Sequence, residues 1–183
     1  MKETFKVVRI DRDGAKVNLD NERREIEAAG AVLTGYDAVT EEEIISAASG
    51  AEVILTSEAE ITRKVIEALP KLRAVIRYGV GYDTVDVEAA TEKQVMVVNV
   101  PDFCWEEVAN HVMMFLLAQS KKLIQLNGMV KDGRWADAKL ALSPMAAIHD
   151  ETIGIIGCGR IGRTVAGKAR CFNMKILGYD KYL

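Results

Sequence analysis

Thr152-Ile-Gly-Ile-Ile156, followed directly by Gly157-Cys-Gly-Arg-Ile-Gly162, is the stretch that decides the fold. The first five residues read as a buried strand. The next six spell G-x-G-x-x-G, and Arg160 to Phe172 then reads as a helix. Lys175 to Tyr179 reads as a further strand and runs into Asp180, 18 residues beyond Gly162. Strand, glycine turn, helix and an acid ending the next strand form a dinucleotide-binding fingerprint. Gly157 permits the tight turn. Gly159 lacks the Cβ that would hold a pyrophosphate away from the backbone, and Gly162 lets the helix pack closely on the strand. Phosphates would sit at the helix N-terminus, where the amides of Arg160 and Ile161 point outward and the dipole favours anions. Asp180 is expected to accept hydrogen bonds from the adenosine ribose and to repel a 2′-phosphate, so NAD is expected in preference to NADP.

Working toward the N-terminus, strands and helices alternate. Strands are expected at Phe5–Ile10, Ala31–Thr34, Glu52–Thr56, Leu72–Arg77 and Val95–Val100. Helices are expected at Asn21–Ala29, from Thr40 (opening as a capping box with Glu43) to about Ala48, at Thr62–Leu69 and at Val85–Lys93. Such alternation implies right-handed βαβ units around a parallel sheet. After Pro101 the pattern changes. Glu106 to Leu126 reads as one long helix, apolar almost all round through Met113, Met114, Phe115, Leu116 and Leu117. A helix of that kind must be buried on more than one side. Lys131 to Asp150 has no clear period and reads as a connecting loop. The expected division is 1–101 and 102–183.

Composition narrows the function. Of 183 residues, 49% are apolar and 28% charged, an ordinary globular balance. The net charge of −3, without a basic stripe, argues against a nucleic-acid partner. A membrane-spanning helix needs about 20 apolar residues, and the longest apolar run, Val112 to Ala118, has seven. Charges interrupt the apolar stretch of the first 14 residues, so no signal peptide is read there. Cys104, Cys158 and Cys171 are an odd count without C-x-x-C spacing, expected as reduced thiols of a cytoplasmic protein. Two histidines and three cysteines show no ligand spacing, so no metal is expected.

Four segments, in order, resemble the D-isomer-specific 2-hydroxyacid dehydrogenases. Arg77-Tyr-Gly-Val-Gly-Tyr-Asp-Thr-Val-Asp86 is similar to the family's substrate-loop signature. Asn99-Val-Pro101 with Glu107-Val-Ala-Asn-His111 is similar to its hinge and the start of its interdomain helix. Gly128 to Trp135 is similar to a Gly-x-Trp region, and Ile153 to Asp180 to its NAD fingerprint. The wording is nearest the phosphoglycerate dehydrogenase and carboxy-terminal binding protein branches, with Asn110 where the family usually has an acid. The resemblance implies an α/β protein: a flavodoxin-like substrate domain followed by the start of a Rossmann NAD-binding domain. It implies that Tyr78, Gly79, Val80 and Gly81 bind the carboxylate of a 2-hydroxy or 2-keto acid, and that Val80 also contacts the coenzyme. Glycines at 79 and 81 expose amides able to cradle an anion, which fits that role. The resemblance also implies a homodimer built through the 106–126 helix.

The family's chemistry uses an Arg for the substrate carboxylate and a His–Glu pair for proton transfer. All three are expected beyond Leu183, so the chain reads as an N-terminal portion without hydride transfer of its own. With only two coenzyme-domain strands, both edges of that pair are expected to stay open. His111 is expected to pack or to line a cleft, His149 to be solvated, and Cys158 to pack inward as a small apolar group. A non-catalytic, NAD-sensing regulator of the same fold and a truncated interaction module are the alternatives to an enzyme.

Overall fold

The computed structural model describes residues 5–183, and the first four residues of the expected 1–101 domain lie outside the described part. Contacts divide the chain into one unit ending at Phe103 and a second, Cys104–Leu183.

The first unit runs β1 Phe5–Asp11, α1 Asp20–Ala28, β2 Ala31–Asp37, α2 Glu41–Ala47, β3 Val53–Thr56, α3 Arg63–Ala68, β4 Ala74–Arg77, α4 Val87–Glu92 and β5 Met96–Val98. The five strands form one parallel sheet in the order β2-β1-β3-β4-β5. That is the flavodoxin-like order, with its switch point between β1 and β3. Residues alternate across the pleat. On one face Val8, Ile10, Ile54 and Val75 meet Ile44, Val65, Ile66 and Ala89 from the crossover helices. On the other Val7, Leu33 and Leu55 meet Leu19, with Ile26 and Tyr78 packed against them. Side-chain caps fix where the helices start. Thr40 Oγ1 accepts from the Glu43 amide at 3.3 Å, while Glu43 accepts from the Thr40 amide at 3.0 Å, the expected capping box. Thr62 and Asp86 cap α3 and α4.

β2 is longer than Ala31–Thr34 because Gly35 continues the strand rather than ending it. A Cβ there would lie 2.4 Å from the Gly14 carbonyl oxygen, so glycine is what lets the loop after β1 lie against β2. β5 is shorter than Val95–Val100, since its pairing with β4 ends at Val98.

The second unit runs α5 Trp105–Ser120, α6 Leu123–Lys131, α7 Trp135–Ala141, a 3-10 turn Ile148–Asp150, β6 Thr152–Ile156, α8 Arg160–Cys171 and β7 Lys175–Tyr179. The single helix expected over Glu106–Leu126 is two helices. Lys122 takes the left-handed conformation (φ 50), and the two lysines at the break donate through Nζ to the carbonyls of Ala146 (3.2 Å) and Ala141 (2.8 Å). The apolar pattern continues across the break, and no Gly or Pro announces it. The region expected as an irregular loop contains α7, where Arg134 lies 3.6 Å from both Asp132 and Asp137. β6 and β7 form a two-stranded parallel sheet. Its core is Ala109, Met113, Val165, Ala169 and Met174. Ala109 and Ala169 are fully enclosed between α5 and α8. An ion pair of 2.7 Å between Glu106 and Lys168 joins the same two helices.

Candidate functional site

In the first unit the candidate loop leaves β4 at the carboxyl edge of the sheet, where open α/β folds bind ligands. The Tyr78 amide donates to the Thr56 carbonyl at 2.7 Å, which carries the pairing with β3 one residue past the strand. The Gly79 amide turns inward to the Arg77 carbonyl at 2.9 Å. Its N–H is therefore not exposed, contrary to the sequence expectation for this glycine. A Cβ on Gly79 would fall 1.5 Å from an Arg77 guanidinium nitrogen, so the space above this glycine belongs to Arg77. The loop is also held from β5. The Val100 amide donates to the Gly79 carbonyl at 3.0 Å, and Asn99 Nδ2 donates to the Val80 carbonyl at 2.8 Å. The amides of Val80 and Gly81 have no acceptor among the described residues. Both residues are exposed, so two adjacent N–H groups remain for an outside anion.

Beneath the loop lies a buried polar cluster that the sequence reading missed. Arg9 and Asp11 are on β1, 5% and 4% exposed. Asp11 accepts from Thr56 Oγ1 (2.9 Å) and from the amides of Ser57, Glu58 and Ala59. Arg9 Nη2 pairs with Asp11 at 2.5 Å and donates to Ser57 Oγ at 2.6 Å, and its guanidinium carbon lies 4.5 Å from the Tyr78 ring centroid. Burial pushes the Tyr78 phenol above its usual pKa; the charge of Glu22 adds to this and that of Arg9 opposes it. The available signal was Arg9, a charge inside the expected strand Phe5–Ile10, with Asp11 directly after it.

In the second unit β6 delivers the glycine turn. Gly157 has φ +92, a conformation that an L side chain would strain. Its amide donates to the Tyr179 carbonyl at 2.8 Å. A Cβ on Gly162 would sit 2.1 Å from the Gly157 carbonyl oxygen, so this position takes no side chain without moving the helix. A Cβ on Gly159 would meet nothing within 4 Å, leaving open space beside the backbone. Arg160 opens α8 and stacks 5.1 Å over Trp105, and Ile161 is 42% exposed. The first-turn amides of α8 have no intrahelical acceptor. Asp180 closes the turn: Oδ2 accepts from the Cys158 amide at 2.7 Å and Oδ1 from the Tyr182 amide at 2.8 Å. The Tyr182 amide first, then the Cys158 amide, and then the charge of Arg163 hold its carboxyl below the usual range. Glycine turn and acid are thus brought together, and the acid also pins the turn. The geometry fits a dinucleotide: an open backbone at Gly159, a close helix approach at Gly162 and an ionised acid at the strand end.

The histidines offer no acid–base pair. His111 is exposed in this chain rather than packed, and it stands edge-on to Phe115 at 4.5 Å. His149 is 62% exposed and lies 3.6 Å from Asp150, itself 73% exposed. Cys158 is half-buried, its sulfur 3.7 Å from the Tyr179 carbonyl. No group of His, Cys, Asp and Glu among the described residues could hold a metal ion.

A flavodoxin-ordered sheet with a free-amide loop at its carboxyl edge, and a separate dinucleotide-type turn, define a class of two-part α/β dehydrogenases. Residues 15–178 match the D-isomer specific 2-hydroxyacid dehydrogenase catalytic domain, and the chain belongs to that family. It is 40% identical over 153 residues to the D-3-phosphoglycerate dehydrogenase of Methanocaldococcus jannaschii, covering 83% of this chain and 28% of that one. It is 34% identical to the glyoxylate reductase of Pyrococcus furiosus, covering 78% of this chain and 44% of that protein. Among solved structures, an acyclic imino acid reductase in complex with NADPH and D-Arg superposes with TM-score 0.80 at 31% identity, over 97% of this chain and 57% of that one. The chain therefore spans less than half the length of these two curated relatives.

Proposed function

We propose that this chain carries the substrate-carboxylate loop and the coenzyme turn of an NAD-dependent D-2-hydroxyacid dehydrogenase, which interconverts a D-2-hydroxy acid and its 2-keto acid. The carrying observation is the pair of unpartnered amides at Val80 and Gly81, on an exposed loop in a chain of this family. In this reading residues 1–101 are the substrate domain and residues 102–183 begin the coenzyme domain. Val80 and Gly81 donate to the substrate carboxylate, Gly79 lets the chain turn beneath Arg77, and Tyr78 walls the loop. Gly157, Gly159 and Gly162 with the amides of Arg160 and Ile161 hold the pyrophosphate, and Asp180 holds the adenosine ribose. Bound there, NAD supplies the redox chemistry for a C–H bond beside a carboxylate. Asp180 is ionised at neutral pH and disfavours a 2′-phosphate, which selects NAD over NADP. Neither histidine of the described residues has a buried carboxylate partner, so neither is assigned the proton-transfer role.

The same reading includes a cytoplasmic homodimer formed through α5 and α6. Along them Met114, Phe115, Leu123 and Ile124 are 49%, 60%, 58% and 83% exposed, more apolar surface than a lone helix face keeps in water. No helix among the described residues is long and apolar enough to cross a membrane. The test is NADH oxidation by a full-length protein carrying these 183 residues, against a panel of 2-keto acids, with Gly159→Val as control. Turnover that the substitution abolishes is expected. NADH binding without turnover of any 2-keto acid would instead favour a coenzyme-sensing regulator, and a monomer in sedimentation at micromolar concentration would remove the dimer.

A further inference from the structure

We infer that Arg9 is a positioning residue for the carboxylate loop: by stacking on Tyr78 while tied to Asp11 and Ser57, it sets where the Val80 and Gly81 amides stand. The inference rests on the proposed carboxylate role of those amides.

Position 9 lies on the pleat face that carries Val7, where the strand pattern asks for an apolar residue. A buried charge there is unfavourable unless it is paired. Arg9 has one ionic partner, Asp11, and one hydroxyl partner, Ser57. Both contacts use the same nitrogen, Nη2. Nε and Nη1 are buried without any acceptor. The side chain is thus not placed to satisfy its donors. What its position does achieve is contact of the guanidinium with the Tyr78 ring.

Asp11 does not require Arg9 in order to shape the turn after β3. Three amides and the Thr56 hydroxyl already bind its carboxylate. The contribution of Arg9 is therefore directed to the neighbouring strand end, at the first residue after β4. Tyr78 is the root of the loop, and its amide bonds to Thr56 at 2.7 Å. Arg9 and Thr56 anchor the root from the β1 and β3 side. Asn99 and Val100 hold Gly79 and Val80 from the β5 side. The two free amides follow directly after this clamp. Removing the contact leaves the root held on that side by the single Thr56 bond, and amides aimed at a carboxylate lose their aim before they lose their fold.

The test uses a full-length protein carrying these 183 residues, NADH and oxamate, an unreactive analogue of a 2-keto acid. Arg9→Lys keeps the charge opposite Asp11 but loses the guanidinium contact with the Tyr78 ring. It is expected to weaken oxamate binding and raise the KM for the 2-keto acid by about tenfold, with kcat and NADH affinity nearly unchanged. Tyr78→Leu is expected to weaken oxamate binding as well, and the double variant to bind oxamate no worse than the poorer single one, because the two side chains act as one unit. Should Arg9→Lys not fold, Ser57→Ala removes only the hydroxyl on Nη2 and is expected to raise KM by about threefold. Wild-type oxamate binding that these variants leave unchanged, with only the melting temperature lowered, overturns this inference alone. A wild-type chain that binds no oxamate overturns the carboxylate reading and this inference with it.

Discussion

In the first unit five parallel strands share one sheet, and Val8, Ile10, Ile54 and Val75 are fully enclosed between it and the helices. In the second, two strands of similar composition leave Ile156 88% exposed, Leu177 67% and Tyr179 65%. Both units use the same βαβ grammar, and their strands are equally apolar in sequence. They differ in the number of neighbours each strand has. A central strand such as β1 or β3 is paired on both edges and covered on both faces. β6 and β7 each have one paired edge among the described residues. Burial is thus a property of a strand's place in the sheet and not of its residues.

The largest effect that would break this contrast concerns chemistry. Residues 1–183 by themselves should give no detectable hydride transfer, because no described histidine has a buried carboxylate partner for general acid–base catalysis, a contribution of about 10²–10⁴-fold. Steady oxidation of NADH by this segment, lost on Gly159→Val, would return His111 to consideration. Next in size is the core. Ile54→Ala should cost about 2–5 kcal/mol by chemical denaturation, because the cavity lies in a fully enclosed layer. Val165→Ala, in the smaller core of the second unit, removes less buried surface and should cost about 1–2 kcal/mol. Amide hydrogen exchange should likewise find β1 and β3 slower than β6 and β7. Equal protection in the two sheets would remove the contrast.

Smaller effects sharpen the second unit. Gly162→Ala forces a methyl group onto the Gly157 carbonyl and should destabilise this unit by about 1–3 kcal/mol while weakening NADH binding. Unchanged binding would mean that the helix does not need its close approach. Asp180→Ser should narrow the preference for NADH over NADPH by about fivefold, the scale of one charge pair near the surface. Equal wild-type affinity for the two coenzymes would refute the role of Asp180. The last effect is on pH. The folded-state pKa of Asp180 is lowered, so its stabilising contribution is present above the ordinary carboxylate range and is lost as pH falls through the folded value. The difference in melting temperature between wild type and Asp180→Asn should therefore stay constant across about pH 5–8 and vanish only in stronger acid.

Much of the first unit was legible because its signals are local. Thr40 and Glu43 announce a helix start through a bond three residues long, and the Val- and Ile-rich runs announce strands. The glycine turn was legible for the same reason: spacing alone places Gly157, Gly162 and Asp180 at the ends of adjacent elements. The continuation of β2 through Gly35 was not legible, because a glycine that ends a strand and one that admits a neighbouring loop look alike in sequence. The break at Lys122 was invisible, since what stabilises it is a pair of lysine bonds to carbonyls about 20 residues away.

From the sequence by itself came the parallel α/β architecture, the order of elements in the first unit and the glycine turn, because periodicity, capping and glycine spacing act over a few residues. Tertiary structure alone decided which loop amides are free. It turned Gly79 inward onto Arg77 and left Val80 and Gly81 without acceptors. It alone brought Arg9, 69 residues earlier in the chain, against the ring of Tyr78. Those outcomes depend on which strand ends become neighbours at the carboxyl edge of the sheet, and residue spacing along the chain carries no record of that.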